Sequence, residues 1–354
     1  MRRISHVAWK ATERIAIRRR DDIWRTSGHS RAYHDAYNIK PVTKLDGTLG
    51  VDKFRSLAWE PAVPTILHGI NQLPARDKWF TSDLHSGQVS FNHHRLRPFE
   101  STVVSYELAT SSAKGGKDSG SPSSDLEEFR QWLEDLAQED SGRILCDFVD
   151  HLLESIRTEA TGFLRFDAPL GLIIRASQFN ESRRGRSDRL KQLYIAQSDI
   201  RSLPESLAGD LPVPEIVLKA GRGDVYSSSI WLGLQPTYTP LHRDPNPNLF
   251  CQLVGSKTVR LLRPRDGQSI FQDVRRSLGS GGNSRFRGPE MMYGPERDKL
   301  HRAVWTEAQT SSKDIWEVMV NPGDALFIPQ GWWHSVVSTG QEAELNASAN
   351  WWFR

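Results

Sequence analysis

Two residues with metal-binding side chains stand close together in the segment TYTPLHRDPNPNLF, where His242 and Asp244 are two positions apart. In an extended chain the side chains of residues i and i+2 point to the same side, so both could reach one ion. Of the 11 histidines, His242 alone is followed two positions later by a carboxylate. The pair marks a candidate metal site, although such pairs also arise by chance.

A third candidate ligand lies 92 residues further along the chain. His334 ends the segment NPGDALFIPQGWWH, in which a Pro-Gly-Asp turn opens a short apolar strand. Two imidazoles and one carboxylate suit non-haem Fe(II), because three protein ligands leave open positions for substrate and dioxygen. The competing interpretation of His334 is a core histidine beside Trp332 and Trp333. It would hold for an isolated histidine, but the upstream pair favours the metal ligand.

A lysine provides a separate clue in the segment CQLVGSKTVRLL. Strand alternation predicts one face that carries Cys251, Leu253, Lys257, Val259 and Leu261, opposite Thr258 and Arg260. Burying an ammonium among apolar residues is costly unless an anion meets it. We therefore predict that a carboxylated ligand binds beside Lys257. The alternative is a lysine at the rim whose amine reaches water.

Short β-rich runs, separated by Pro, Gly, Asn and Asp turn signals, follow one another from about Ser227. The runs are SSSIWLGLQ, NLFCQLV, KTVRLL, WEVMV, DALFIP, HSVVS and LNASANWWF. Many short strands of this kind indicate a barrel or a sandwich. A stretch rich in Gly and Arg over 277–297 interrupts the series, and we predict a loop there that projects over one end of it.

Two amphipathic helices are predicted before the β-rich region. Ser124 and Glu127 have the spacing of a capping box, and apolar residues up to Leu136 recur on one helical face. A second apolar stripe predicts a helix over about 142–157. The stretch 110–124 is rich in Gly and Ser and is predicted to be a flexible loop. Both helices are expected to support the strands rather than to carry chemistry.

Composition narrows the possible functions. The net charge of +3, from 46 basic and 43 acidic residues, is too small for a global field that grips a nucleic-acid backbone. The basic stretch 1–20 is interpreted as a solvated extension or, alternatively, as a mitochondrial presequence. With only Cys146 and Cys251, a disulfide framework and a thiolate zinc cluster are excluded, which favours a reducing intracellular compartment, cytoplasmic or nuclear. No apolar run approaches the about 20 residues that span a bilayer, so a membrane protein is not expected.

The segments that carry these residues resemble the JmjC and cupin-like 2-oxoglutarate oxygenases, most closely the branch of the asparaginyl hydroxylase that inhibits hypoxia-inducible factor. The resemblance covers about 194–352 and is most specific in TPLHRDPNPNLFCQLVGSK, PGDALFIPQGWWH and NASANWWF. It implies a mainly β fold with flanking helices (α+β), built on a double-stranded β-helix, the cupin-like jelly-roll barrel. We accordingly expect a basic extension over 1–50 and a single catalytic domain over 51–354, whose barrel core begins near residue 201.

The resemblance also implies roles for individual residues by position. The Fe(II) ligands would be His242, Asp244 and His334. The groups that hold the distal carboxylate of 2-oxoglutarate would be Lys257, Thr239 and Tyr194. The co-substrate pocket would further be lined by the amides of Asn248 and Asn350 and by the ring of Trp352.

The reaction that the resemblance implies uses Fe(II), O2 and the co-substrate 2-oxoglutarate to hydroxylate a C–H bond, with release of succinate and CO2. The last predicted strand ends next to Arg354, without the C-terminal helices through which the nearest relatives in that branch dimerise. The oligomeric state is therefore left open.

The predicted site is compatible with three main functions. The leading hypothesis is a hydroxylase that acts on a protein side chain or a small metabolite, because no clear nucleic-acid signal and no chromatin-reader module accompanies the site. Demethylation of lysine in a histone or another protein uses the same centre and is an alternative. A cupin-like metal-binding protein without oxygenase activity is another, but it would not need three carboxylate-directed groups at Lys257, Thr239 and Tyr194.

Overall fold

The computed structural model of the chain describes residues 38–70, 73–83, 87–109, 122–136, 140–158, 163–279, 294–306 and 313–354. Sixteen strands lie within these ranges. In chain order they are β1 (Asn38–Pro41), β2 (Thr43–Asp46), β3 (Thr65–His68), β4 (Phe80–Ser82), β5 (Val89–Phe91), β6 (Val103–Ala109), β7 (Phe163–Pro169), β8 (Leu193–Asp199), β9 (Val225–Leu234), β10 (Tyr238–Arg243), β11 (Asn248–Val254), β12 (Ser256–Leu262), β13 (Asp314–Val320), β14 (Ala325–Ile328), β15 (Trp333–Thr339) and β16 (Leu345–Phe353).

The α-helices of the described residues lie mostly outside the strand-rich C-terminal half. They are α1 (Val51–Phe54), α2 (Ala75–Lys78), α3 (His93–Leu96), α4 (Pro122–Leu136), α5 (Asp140–Thr158), α6 (Gly171–Ser182), α7 (Glu205–Ala208), α8 (Glu215–Lys219), α9 (Pro264–Leu278) and α10 (Pro295–His301). Single turns of 3-10 helix cover Arg97–Phe99 and Ile200–Ser202, and π-helical turns cover Arg55–Trp59 and Arg302–Thr306. In this part of the chain no helix is both long and apolar enough to cross a membrane.

Two large sheets form the fold. The nine-stranded sheet has the order β2-β3-β14-β11-β16-β9-β8-β6-β7, and the five-stranded sheet has the order β1-β13-β12-β15-β10. The last eight strands divide equally between them, so that the chain from β9 to β12 changes sheet at every strand. This exchange of strands between two facing sheets is a jelly roll. The mainly β fold with flanking helices that we predicted is confirmed.

Apolar side chains pack between the two sheets and against the outer face of each sheet. One cluster, with Phe250, Val259 and Leu326 among its members, takes residues from both sheets and therefore lies between them. Every residue of β11 and β16 is buried. A strand that is covered on both faces reads as a continuous apolar run rather than as an alternating one, which matches NLFCQLV.

Helices α9 and α10 cover the outer face of the five-stranded sheet. Their buried residues, such as Ile270 and Leu300, pack with Leu241 of β10 and Trp333 of β15. The rings of Phe271 and Trp333 lie 5.1 Å apart. Helix α9 was not among the predicted elements. Helix α9 packs on the outer face of β15, the strand that carries His334.

The two predicted helices are present as α4 and α5. Helix α4 begins at Pro122, so Ser124 lies within the first turn and is not the N-cap residue that the capping-box spacing predicted. Leu126, Phe129 and Leu133 are buried as expected, but Leu136 is 54% exposed at the helix end. The apolar stripe packs against α6, where the rings of Phe129 and Phe179 lie 5.4 Å apart. Residues 1–37 and most of the predicted loops over 110–124 and 277–297 lie outside the described residues.

Residues before position 51 take part in the sheets. β1 pairs in parallel with β13, and β2 pairs in parallel with β3. Cys146 and Cys251 are both buried free thiols, and burial raises the pKa of each. Both cysteines are therefore packed core residues rather than metal ligands.

Candidate metal centre and co-substrate cavity

His242, Asp244 and His334 meet at one end of the five-stranded sheet. His242 on β10 pairs directly with His334 on β15, and their rings lie 4.2 Å apart. Asp244 follows the end of β10, and its carboxylate oxygens lie 3.9 Å from His242 Nε2 and 3.5 Å from His334 Nε2. Among the described residues, these three form the group whose ligand atoms all lie within 4.8 Å of one another. The spacing fits three ligands of one ion.

A bulge in β10 turns His242 toward the site. Thr239 pairs with Val336 and His242 with His334, so β10 has one more residue than β15 over this interval. Bulges of this kind re-aim side chains near functional sites. Pro240 lies in the bulge, where its missing N–H removes no ladder hydrogen bond.

Hydrogen bonds of the two rings decide which nitrogen faces the site. His242 Nδ1 lies 2.8 Å from the carbonyl oxygen of Pro240, and because a carbonyl only accepts, Nδ1 is the donor. Nδ1 of His334 lies 3.4 Å from the carbonyl oxygen of Trp332, a longer contact of the same kind. The Nε2 lone pairs are thereby left for a metal, which is the usual arrangement of metal-binding histidines.

Two hydrogen bonds connect Asp244, through the amide of Asn248, to the amide of Asn350 in the nine-stranded sheet. Asn248 donates through Nδ2 to Asp244 Oδ2 at 3.0 Å, and Asn350 donates through Nδ2 to Asn248 Oδ1 at 2.9 Å. Asn248 starts β11 and Asn350 lies on the neighbouring strand β16, diagonally across the ladder. Both side chains are buried, with 2% and 3% of their surface exposed.

Lys257 is 2% exposed and points into the space between the sheets. Its ammonium donates to the hydroxyl of Tyr194 at 3.2 Å and to that of Ser348 at 2.9 Å. It also lies over the rings of Phe250 and Tyr194, at 5.3 and 5.6 Å from their centroids. Lys257 is therefore buried, as predicted, and with Tyr194 and Ser348 it forms a polar end of the cavity.

The predicted face around Lys257 was wrong in part. Val259 and Leu261 do pack between the sheets, but Cys251 and Leu253 belong to the cluster on the outer side of the nine-stranded sheet. The alternation fails because the chain changes sheet at Gly255, which has φ +66. A Cβ there would lie 2.7 Å from Asn346 Nδ2 and 2.9 Å from Leu345 O, so glycine suits this turn on both counts.

One cavity joins the metal ligands to Lys257. It has a volume of about 40 Å³, and all nine residues predicted for the site line it. These are Tyr194, Thr239, His242, Asp244, Asn248, Lys257, His334, Asn350 and Trp352. The structure therefore brings Lys257, Thr239 and Tyr194 into the same cavity as the three candidate metal ligands.

Sequence reasoning missed some residues of this cavity. Trp231, Phe250 and Val336 contribute apolar lining, and Ser348 reaches Lys257. A signal for Ser348 was present in NASANWWF, because Ser348 shares the alternation of Asn350 and Trp352 and so faces the same side of β16. For Trp231 the pairing of β9 with β16 was needed, since it stands opposite Ser348.

Gly233 allows the ring of Tyr194 to lie across β9. Tyr194 and Gly233 are direct partners between β8 and β9. A Cβ on Gly233 would collide with the Tyr194 ring and would come within 2.6 Å of the carbonyl oxygen of Leu193. The bare backbone at this position is therefore part of how Tyr194 reaches Lys257.

Comparisons with known proteins agree with this architecture. The sequence model of the family described as "Cupin-like domain" matches residues 54–354. Lysine-specific demethylase 8 of Danio rerio is 29% identical over 161 residues, which are 45% of this chain and 36% of that protein. JmjC domain-containing protein D of Dictyostelium discoideum is 28% identical over 162 residues, or 43% and 34%. Lysine-specific demethylase JMJ30 of Arabidopsis thaliana is 26% identical over 182 residues, or 51% and 38%.

These matched segments span little more than a third of the relatives' own lengths. Their names support the wider JmjC and cupin-like group rather than the asparaginyl hydroxylase branch that the sequence motifs suggested. The family match, in contrast, extends over most of the chain and includes all strands from β3 to β16. The chain belongs to the cupin-like domain family.

Proposed function

We propose that this chain is an Fe(II)- and 2-oxoglutarate-dependent oxygenase. The observation that carries the proposal is the cavity itself, because one lining includes both the His-Asp-His group and the Lys257 cluster. A metal-binding protein without oxygenase activity needs only the first of these. The co-substrate needs both, since it is a dicarboxylate with a keto acid at one end.

The donor set fits Fe(II). Two imidazoles and one carboxylate are the protein ligands of non-haem iron oxygenases, and they leave positions for further ligands. The hydrogen bond from His242 Nδ1 to the Pro240 carbonyl keeps Nε2 unprotonated toward the ion. We infer that His242, Asp244 and His334 hold the iron.

The other end of the cavity fits the distal carboxylate of 2-oxoglutarate. Lys257 supplies a charge, while the hydroxyls of Tyr194 and Ser348 lie within 3.2 Å of its ammonium. A carboxylate accepts hydrogen bonds from all three groups, and a charged donor gives the strongest of these bonds. Thr239, which lines the same cavity from β10, is positioned to add another.

Bound iron and 2-oxoglutarate would supply the oxidation of a C–H bond by dioxygen, with release of succinate and CO2. The residues of this chain orient the two ligands and exclude water. Phe250, Val336 and Trp352 form apolar walls beside the polar groups, and Trp352 is 7% exposed. Such walls strengthen the interactions of charged groups within the cavity.

For the substrate, we favour an N-methyl group on a lysine side chain of a protein. The support for this choice is that relatives named lysine-specific demethylase match about half of the chain. Hydroxylation of an N-methyl carbon gives a product that releases formaldehyde and leaves the amine with one methyl group fewer. Stable hydroxylation of a protein side chain or a metabolite would use the same residues.

The first experiment is a titration of the purified protein, loaded with Fe(II) without oxygen, with 2-oxoglutarate. We expect saturable binding and a weak visible charge-transfer band, both absent from the Asp244→Ala variant. Metal binding without 2-oxoglutarate binding would refute the oxygenase and favour a cupin-like metal-binding protein.

The second experiment assigns the product. Histone peptides that carry methylated lysine are incubated with the loaded protein and O2, and mass spectrometry follows the peptide. Loss of a methyl group together with formaldehyde would support demethylation. Gain of one oxygen by the peptide without formaldehyde would support hydroxylation and overturn the demethylase choice, while leaving the oxygenase class intact.

A further inference from the structure

The hydrogen bonds behind Asp244 run in one direction. An ionised carboxylate only accepts, so Asn248 must turn its Nδ2 toward Asp244 and present its own oxygen on the other side. That oxygen needs a donor, which Asn350 provides through Nδ2 at 2.9 Å. The charge of Asp244 thus dictates the orientation of both amides.

We propose that Asn350, acting through Asn248, is a positioning residue for the metal-binding carboxylate of Asp244. The resemblance assigned both amides to the co-substrate pocket, whereas their donor groups are engaged with Asp244 and with each other. Two buried amides in series restrict the rotation of that carboxylate about its own bond. This inference rests on the proposed metal role of Asp244.

The pairing of β11 with β16 supports a rigid relay, by which we mean the two hydrogen bonds that connect Asn350 through Asn248 to Asp244. Asn248 stands opposite Trp352, and Asn350 stands opposite Phe250, so the two amides occupy diagonal sites of adjacent strands. Both strands are buried along their whole length. A side chain held on a central strand keeps its orientation better than one on a loop, which is useful because Asp244 itself lies just beyond the end of β10.

Ser348 provides a matched control for Asn350. Both are buried polar residues that line up on the same side of β16, two positions apart. Ser348 accepts its hydrogen bond from Lys257, while Asn350 bonds to Asn248. The relay therefore predicts that Asn350 affects the metal and that Ser348 affects 2-oxoglutarate.

The test measures the affinity of the metal-free protein for Co(II), followed by the visible bands of the bound ion, with 2-oxoglutarate absent. We expect Asn248→Ala to weaken Co(II) binding about 10- to 100-fold, as for other partners of metal ligands. Asn350→Ala should weaken it about 3- to 10-fold, the worth of one buried neutral hydrogen bond. Ser348→Ala should leave it unchanged.

The double variant Asn248→Ala/Asn350→Ala tests whether Asn350 acts through Asn248. The relay predicts that its Co(II) affinity is within about 2-fold of that of Asn248→Ala, because the path from Asn350 to Asp244 is already broken. Full additivity of the two single losses would overturn the relay. If Asn350→Ala shows no cooperative thermal unfolding, Asn350→Ser also removes the amide group, and its shorter side chain keeps one polar atom.

A second titration, with 2-oxoglutarate and saturating Co(II), completes the design. Weaker 2-oxoglutarate binding by Asn350→Ala with normal Co(II) affinity would overturn the relay and return the amide to the co-substrate pocket. Wild-type protein that binds no Co(II) would refute the proposed metal site itself, and the relay with it. Wild-type binding with equal affinities in all variants would refute the relay alone.

Discussion

Replacement of Lys257 by methionine isolates the charge that we assign to the co-substrate. Methionine keeps an unbranched side chain of similar length between the sheets but removes the ammonium. A hydrogen bond between a charged donor and a carboxylate contributes about 1.5–3 kcal/mol. The dissociation constant of 2-oxoglutarate should therefore rise about 10- to 150-fold.

The same substitution should change the stability of the fold little. Lys257 is 2% exposed, so its removal relieves the cost of a buried charge. The hydroxyls of Tyr194 and Ser348 each lose one partner, which opposes that gain. We expect a net change in the free energy of unfolding below about 2 kcal/mol, because the two effects have similar size.

Calorimetric titration of the metal-loaded, oxygen-free protein measures the effect. A 2-oxo acid that lacks the distal carboxylate, such as 2-oxopentanoate, serves as the comparison ligand. The wild type should prefer 2-oxoglutarate, and Lys257→Met should lose most of that preference, since the hydroxyls of Tyr194 and Ser348 remain. The neighbouring Thr258→Val is the matched control, since Thr258 points to the other face of β12. Retention of the full preference for 2-oxoglutarate in Lys257→Met, or a loss of metal affinity as large as that of 2-oxoglutarate affinity, would refute the assignment.

Three further predictions concern the triad, the Tyr194 ring and a buried carboxylate remote from the site. Asp244→Ala should abolish Fe(II) binding and turnover while the far-ultraviolet circular dichroism spectrum stays unchanged, and residual turnover in the purified variant would remove the assignment of this ligand. Gly233→Ala should destabilise the fold by about 1–3 kcal/mol and weaken 2-oxoglutarate binding, because the new Cβ displaces the Tyr194 ring; thermal unfolding and calorimetry check both effects, and an unchanged affinity would separate Tyr194 from the co-substrate. Burial raises the pKa of Asp210, but hydrogen bonds from Lys78, Arg95 and Trp79 outweigh it and hold the pKa below the ordinary 3.8. Asp210 should therefore stabilise the fold above about pH 4 and lose this contribution as the pH falls through its lowered pKa; denaturant unfolding of wild type and Asp210→Asn should differ at pH 7 and converge in acid, and a difference that persists at low pH would contradict this reasoning.

Local patterns predicted much of the barrel. The seven β-rich runs from Ser227 onward correspond to β9 and to β11 to β16, because strands and the turns between them are encoded by neighbouring residues. The His242-x-Asp244 pair could be recognised for the same reason, since its two residues are close in the sequence. The strand that pairs with each run could not be predicted, because strand pairing depends on contacts between residues far apart in the chain.

The change of sheet between β11 and β12 shows where prediction from strand alternation fails. Lys257 was expected on one face with Cys251 and Leu253, and the change of sheet at Gly255 separates them. Alternation predicts faces only within a strand, and a turn that carries the chain to another sheet resets it. Helix α9 was not predicted, because it lies between two β-rich runs in a region that was interpreted by its strand pattern alone.

Residue types and their spacing in the chain establish the chemistry available to this protein: a His-x-Asp pair, a third histidine, and a lysine within an apolar run. Long-range strand pairing is needed to bring these groups into one cavity, because His242 and His334 become partners through the pairing of β10 with β15. The direction of the Asn350, Asn248 and Asp244 hydrogen bonds likewise depends on two strands meeting at one register. Residue types set which bonds are possible, and long-range packing selects those that form.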